Sequence, residues 1–221
     1  MSGAIQHCGI LIIAAGQSKR LGQPKQLLNF EGKLLINRLV DIVKAAGPFP
    51  ITIVLGANAQ KVKDQLIEKN LKVVINENWE QGMASSISVG LESIINDLHE
   101  HKGPIVFAEV KEAKEKETDG VMILVCDQPF ITKNNIQSLL KLQQKTTLPM
   151  AACYYEGVLG TPALFHESVF DELLTLKGDI GAKKIIQQRE SEVAKLHFDQ
   201  GALDIDTMED YHKLLKQANI K

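Results

Sequence analysis

The chain has 221 residues, of which 44% are hydrophobic and 24% charged, with a formal net charge of -2 at pH 7. That length suits one domain with a sizeable core, spanning 1–221, and the charge balance excludes the broadly basic surface of a nucleic-acid binder. No apolar run approaches the roughly 18 residues of a membrane span, and no basic n-region or cleavage site precedes the first apolar stretch, so a cytoplasmic protein is expected.

Gly9–Ala14 is short, apolar and β-rich, and reads as a first strand buried on both faces. The loop after it, Ala14 to Gly22, is small and polar. Ala15 and Gly16 let the backbone approach a ligand, and successive N–H groups there can converge on phosphate oxygens. Ser18 adds a hydroxyl, while Lys19, Arg20 and Lys25 add cations, Arg with a two-pronged grip and Lys as a point charge. The spacing is neither G-x-G-x-x-G nor G-x-x-x-x-G-K-[ST].

Leu35, Leu39, Val43 and Ala46 keep helical spacing, and Ile51–Leu55 and Lys72–Ile75 read as further strands. Gly82 releases the chain into a helix marked by Met83, Ile87, Leu91, Ile94 and Leu98. Ser85 and Ser86 fall in its first turn, where unpaired N–H groups favour polar or anionic atoms. His101 to Asp119 alternates Lys and Glu with few large apolar side chains and reads as a solvated insertion, with a partner-binding arm as the alternative. Val121–Cys126 is a strand, Thr132 caps a helix carrying Ile136, Leu139 and Leu140, and Met150–Cys153 is a strand. Beyond it a small mixed α+β region completes the domain. The alternation predicts an α/β, three-layer Rossmann-like fold with a mostly parallel central sheet, and ligands at the carboxyl ends of its strands. Cys8, Cys126 and Cys153 are scattered and read as reduced core thiols.

Two acidic positions stand out. Asp127 follows a strand and precedes Gln128-Pro129; it can ligate Mg²⁺ beside phosphates, or simply form the turn. Asp204 and Asp206 flank Ile205 and, in an extended strand, share one face; Thr207 with Asp210 makes a capping box for a last helix.

The run Leu11–Leu28 closely resembles the signature L-A-A-G-x-S-x-R-x-G-x-P-K-x-L-L of the MobA-like nucleotidyltransferases, and specifically of the molybdenum cofactor cytidylyltransferases. Asn76–Leu91 is similar to N-x-x-W-x-x-G-M-x-S-S, and Leu124–Pro129 to L-G-D-Q-P, with Cys126 in the Gly position. Asp204–Tyr211 resembles D-I-D-T-P-E-D, with Met208 in place of Pro. Gly160-Thr161-Pro162 is similar to G-H-P, and Leu176–Lys183 to L-x-G-D-x-G-A-R with Lys for Arg.

The resemblance implies that Ala14, Ala15, Gly16, Ser18 and Arg20 hold the outer phosphates while Lys25 lies against the α phosphate. It implies that Gly82, Ser85 and Ser86 face base and ribose, that Asp127 and Asp206 hold Mg²⁺, and that Thr161, Pro162, Asp179 and Lys183 lie on the acceptor side. Arg20 and Lys25 would be the catalytic cations and Trp79 a packing residue beneath the loop. The expected reaction transfers CMP from CTP to the phosphate of a molybdopterin-type acceptor and releases pyrophosphate, with a molybdoenzyme receiving the product. CTP rather than GTP rests on Ala15, where guanylyl-transferring relatives usually carry Gly. Two alternatives stay open: a sugar-1-phosphate nucleotidyltransferase, and a non-catalytic chaperone that binds the molybdenum cofactor.

Overall fold

The computed structural model describes residues 2–69, 71–100 and 118–217. Apolar alternation along the first strand organises the molecule. In β1 (Cys8–Ala14) all residues are buried: Ile10 and Ile12 enter one core layer, and Leu11 and Ile13 the other. Large aliphatic side chains are worth about 1.5–3 kcal/mol each when fully buried, so the loop that follows starts from a fixed point.

After β1 comes a small hairpin, β2 (Asn29–Phe30) and β3 (Lys33–Leu34), then α1 (Leu35–Ala46), β4 (Ile51–Leu55), α2 (Ala59–Asp64) and β5 (Lys72–Ile75). Next are α3 (Met83–Glu100), β6 (Gly120–Val125), α4 (Lys133–Thr146), β7 (Met150–Tyr155) and β8 (Val158–His166). The chain closes with α5 (Phe170–Leu174), α6 (Lys183–Gln188), β9 (Val193–His197) and α7 (Met208–Gln217). The central sheet has seven strands in the order β5-β4-β1-β6-β8-β7-β9, and β8 alone runs against the rest. Side chains of α1 and α4 cover one face, and those of α3, α5 and α6 the other, giving the expected three-layer, mostly parallel α/β fold.

The chain leaves β1 towards β4 and β5 and then returns to β6 on the other flank. The crevice between the carboxyl ends of β1 and β6 is therefore a topological switch point, where such sheets take ligands. Thr132 caps α4 through a reciprocal pair of bonds with Asn135. The charged insertion lies outside the described residues except at its end, where the Asp119 carboxylate accepts the Gln6 and His7 N–H groups.

A third apolar cluster sits at the edge of the cleft. Leu21, Leu28, Phe30 and Leu35 pack with Ile205 and Leu214, so α7 is fastened to the hairpin beside the first loop. Tyr211 adds a hydroxyl bond of 2.6 Å to the Asn29 carbonyl. The strand expected at Asp204–Asp206 is absent: irregular backbone follows a tight turn at Asp199–Ala202. Ile205 is nonetheless buried while its neighbours stay solvent-accessible, because one apolar side chain docking in the small core suffices to alternate them.

Candidate active site

The first loop is held from several sides. Ser18 adopts a left-handed backbone (φ 57°), and its hydroxyl oxygen accepts the Lys25 N–H at 3.1 Å. Gly22 is also left-handed (φ 74°), which suits glycine and turns the chain towards Pro24. The Ala15 carbonyl accepts the Ala57 N–H at 3.0 Å, and Ala15 lies against Gly56, where any added Cβ would strike the Trp79 Cβ and the Ala15 backbone. Trp79 is thus the packing residue beneath the loop. Gly16 differs, since a Cβ added there would meet nothing within 4 Å and its backbone is not left-handed.

Above this floor opens a cavity of about 750 Å³, within the range for small-molecule sites. The loop Ala15–Lys19 forms one wall; Trp79, Gly82, Met83 and Ser86 form another. Gly82 (φ 98°) precedes α3 as expected, and the backbone of Gly178 and the Asp179 carboxylate press so closely on it that no side chain would fit. Asp179 therefore lines this cavity rather than standing with Lys183. The hydroxyls of Ser85 and Ser86 both accept from the Asn76 amide at 2.9 Å; Ser86 lines the main cavity, while Ser85 faces a neighbouring polar depression.

At the switch point four charged groups converge. The Lys25 ammonium donates to Asp127 at 2.8 Å and to Asp206 at 3.2 Å, and Arg20 donates to the second oxygen of Asp206 at 2.6 Å. Burial works to lower the Lys25 pKa, but Asp127 and Asp206 outweigh it and hold the ammonium more firmly protonated than usual. The Arg20 side chain is 70% exposed, and exposed pairs contribute roughly 0–1 kcal/mol, so this contact leaves the guanidinium open to a ligand. Convergence of the two aspartates has a backbone cause: the Ile205 N–H donates to the Asp127 carbonyl at 3.3 Å.

The two carboxylates meet the same cation, so their oxygens aim at one point. Two hard oxygen donors fit Mg²⁺, which keeps several waters and takes one or two carboxylates plus substrate phosphates.

Behind Asp127 the chain is tied to the far side of the cleft. Gln128 is buried and donates to the carbonyls of Thr161 at 3.0 Å and Gly201 at 2.9 Å, and the Tyr155 hydroxyl also donates to Thr161 at 3.2 Å. Thr161–Pro162 is a cis peptide, Pro162 is buried, and Thr161 is partly accessible. Asp204, unassigned from sequence, is a third carboxylate here. The residue is exposed, yet desolvation of its carboxyl and then the charge of Asp127 push it up to about 7, with Asp206 adding and Lys25 and Lys183 opposing. Its place beside Ile205, paired with Asp206, was the available signal, while the direction of the irregular backbone is set only in the fold. Cys126, beside Asp127, is buried with its thiol pKa pushed up by that burial, which fits a packing role.

An open, mainly parallel sheet with a small-residue loop, cations and convergent carboxylates at its switch point defines a nucleotidyltransferase. The chain belongs to the MobA-like NTP transferase domain family, whose model matches residues 10–193. It is 27% identical to nicotine blue oxidoreductase of Paenarthrobacter nicotinovorans, over 93% of this chain and 95% of that protein. It is 23% identical to the purine catabolism protein PucB of Bacillus subtilis, over 91% and 92% of the two chains. Among solved structures it is similar to Rv0371c of Mycobacterium tuberculosis, with a TM-score of 0.75 and 28% identity over 96% of this chain and 98% of that one. A structure of that protein in complex with manganese aligns with a TM-score of 0.72 and 25% identity, over 96% and 99%.

Proposed function

We propose that this protein transfers CMP from CTP to the phosphate of a molybdopterin-type acceptor, with Mg²⁺, and releases pyrophosphate. The observation that carries the reading is the convergence of Lys25, Asp127, Arg20 and Asp206 next to the loop whose Ala15–Lys19 stretch lines the cavity. The loop around Gly16 and the guanidinium of Arg20 would take the outer phosphates, and Lys25 the α phosphate, where charge accumulates as the acceptor oxygen arrives in line with the departing pyrophosphate. Asp127 and Asp206 would hold the metal, which supplies charge neutralisation for phosphate oxygens. The manganese complex of the similar Rv0371c supports a divalent ion of this kind. No general base is needed: a phosphate monoester, with a second pKa of about 6, is already mostly ionised near neutrality.

On the acceptor side Thr161, Pro162 and Lys183 would face the second substrate, with Asp204 among them. Asp179 would instead join Gly82 and Ser86 around the nucleoside. Two alternatives are tested alongside: another phosphorylated small molecule as acceptor, and binding of the cofactor without chemistry. No helix among the described residues is long and apolar enough to cross a membrane. In this reading the product passes to a molybdoenzyme in the cytoplasm.

The test is thermal stability with CTP, GTP, UTP and ATP, each with and without Mg²⁺, followed by assay of pyrophosphate release with the acceptor. CTP with Mg²⁺ should give the largest shift. No shift with any nucleotide would refute the nucleotidyltransferase reading, and binding without pyrophosphate release would favour a carrier.

A further inference from the structure

We infer that Gln26 is a positioning residue that sets the first loop to receive phosphate; the inference rests on the nucleotidyltransferase reading of that loop. Gln26 lies beneath the loop and is only 2% exposed. Its side-chain amide donates to the Ala14 carbonyl at 2.7 Å and to the Gly16 carbonyl at 3.2 Å. Both partners are acceptors, so the amide nitrogen must face them.

In a trans peptide the carbonyl and the following N–H point in opposite directions. With the Gly16 carbonyl held by Gln26, the Gln17 N–H is turned away from the protein interior. With the Ala15 carbonyl held by Ala57, the Gly16 N–H is likewise directed away from its own fixed carbonyl. Among the described residues neither N–H has an acceptor, and both Gly16 and Gln17 line the cavity. Two adjacent N–H groups presented in this way form an anion-binding concavity.

The other end of the same amide sharpens the point. The Gln26 Oε1 is buried and has no hydrogen-bond partner among the described residues. A leucine or methionine would fill much the same space without stranding a buried oxygen, which native proteins rarely do. The two donated bonds are what a glutamine provides here and an apolar residue cannot. Ser18 and Lys25 secure the far end of the loop through a separate bond, so Gln26 acts on the stretch that would face the outer phosphates.

The experiment is calorimetric titration of the full chain and of Gln26→Leu with Mg²⁺ and each of pyrophosphate, CTP and CMP. Pyrophosphate reports the loop alone, and CMP reports the nucleoside and α-phosphate positions. Gln26→Leu should weaken pyrophosphate and CTP by about tenfold, the effect of losing oriented donors, and leave CMP within about twofold. Unchanged pyrophosphate binding overturns the inference, as does an equal weakening of all three ligands, which a general packing defect would produce. Should Gln26→Leu fail to fold, Gln26→Met serves, and the Gly16 and Gln17 amide resonances of the wild-type chain must shift on adding pyrophosphate. Resonances that stay in place count against the role. A wild-type chain that binds none of the three ligands refutes the nucleotidyltransferase reading instead.

Discussion

Residues 8–28 supply a buried strand, the turn with its left-handed Ser18, the guanidinium of Arg20 and the ammonium of Lys25, all in one run. The facing wall is assembled from separate places: the Asp127 turn, Thr161 on the reversed strand β8, the segment around Lys183, and Asp204–Asp206 ahead of α7. One wall is held by neighbours in sequence and the floor of a parallel sheet. The other depends on contacts between distant segments, several passing through the Gln128 amide. The difference teaches that the first wall can be set by local sequence, while the second is joined to it at Asp206 and Ile205 and otherwise depends on contacts among its own distant segments.

Changes on the two walls should separate in their effects. Lys25→Ala is expected to cause the largest loss, a fall in turnover of about 10²–10³, because it removes a preorganised charge beside the reacting phosphate. Steady-state assay of pyrophosphate release on the folded variant checks this, and near-normal turnover would remove Lys25 from its role. Gly16→Ala should be milder, weakening CTP by about tenfold while leaving the melting temperature nearly unchanged. A methyl group there meets no protein atom within 4 Å but would stand where a ligand approaches. Binding and thermal unfolding measured on the same preparation separate those two outcomes. Lys183→Ala should have the smallest effect, raising KM for the acceptor a few-fold, roughly the value of one exposed charge contact, with CTP affinity untouched. If CTP affinity fell instead, the division between the two walls would be wrong.

The first wall was legible because its information is local. Buried β1 and the small-residue loop after it read correctly as strand and loop, Arg20 and Lys25 stand together at Asp206, and Thr132 and Thr207 both cap helices as expected. The hairpin at Asn29–Leu34 left no trace, since strands of two residues are too short to show alternation. Asp179 and Lys183 read as one acceptor-side group because both fall in the segment resembling L-x-G-D-x-G-A-R. The left-handed turn at Gly178 (φ 72°) sets Asp179 against Gly82, while Lys183, four residues on, opens α6. Asp204 escaped assignment because its approach to the charge of Asp127 arises only after Ile205 docks in the small third core. Gln26 gave no signal either. Its meaning lies in two carbonyls 12 and 10 positions earlier, which no side-chain pattern reveals.

The contact between Arg20 and Asp206 spans 186 positions. During synthesis the first loop emerges well before the carboxylate that meets it. A ribosome-bound chain stopped before Asp204 therefore carries the loop and Asp127 but lacks the second acidic group, and Leu21, Leu28 and Phe30 lose the Ile205 and Leu214 that cover them. Completion of the cleft thus waits for Asp206 and α7: a chain cut before them holds the loop and its cations without the pair of carboxylates that meet them.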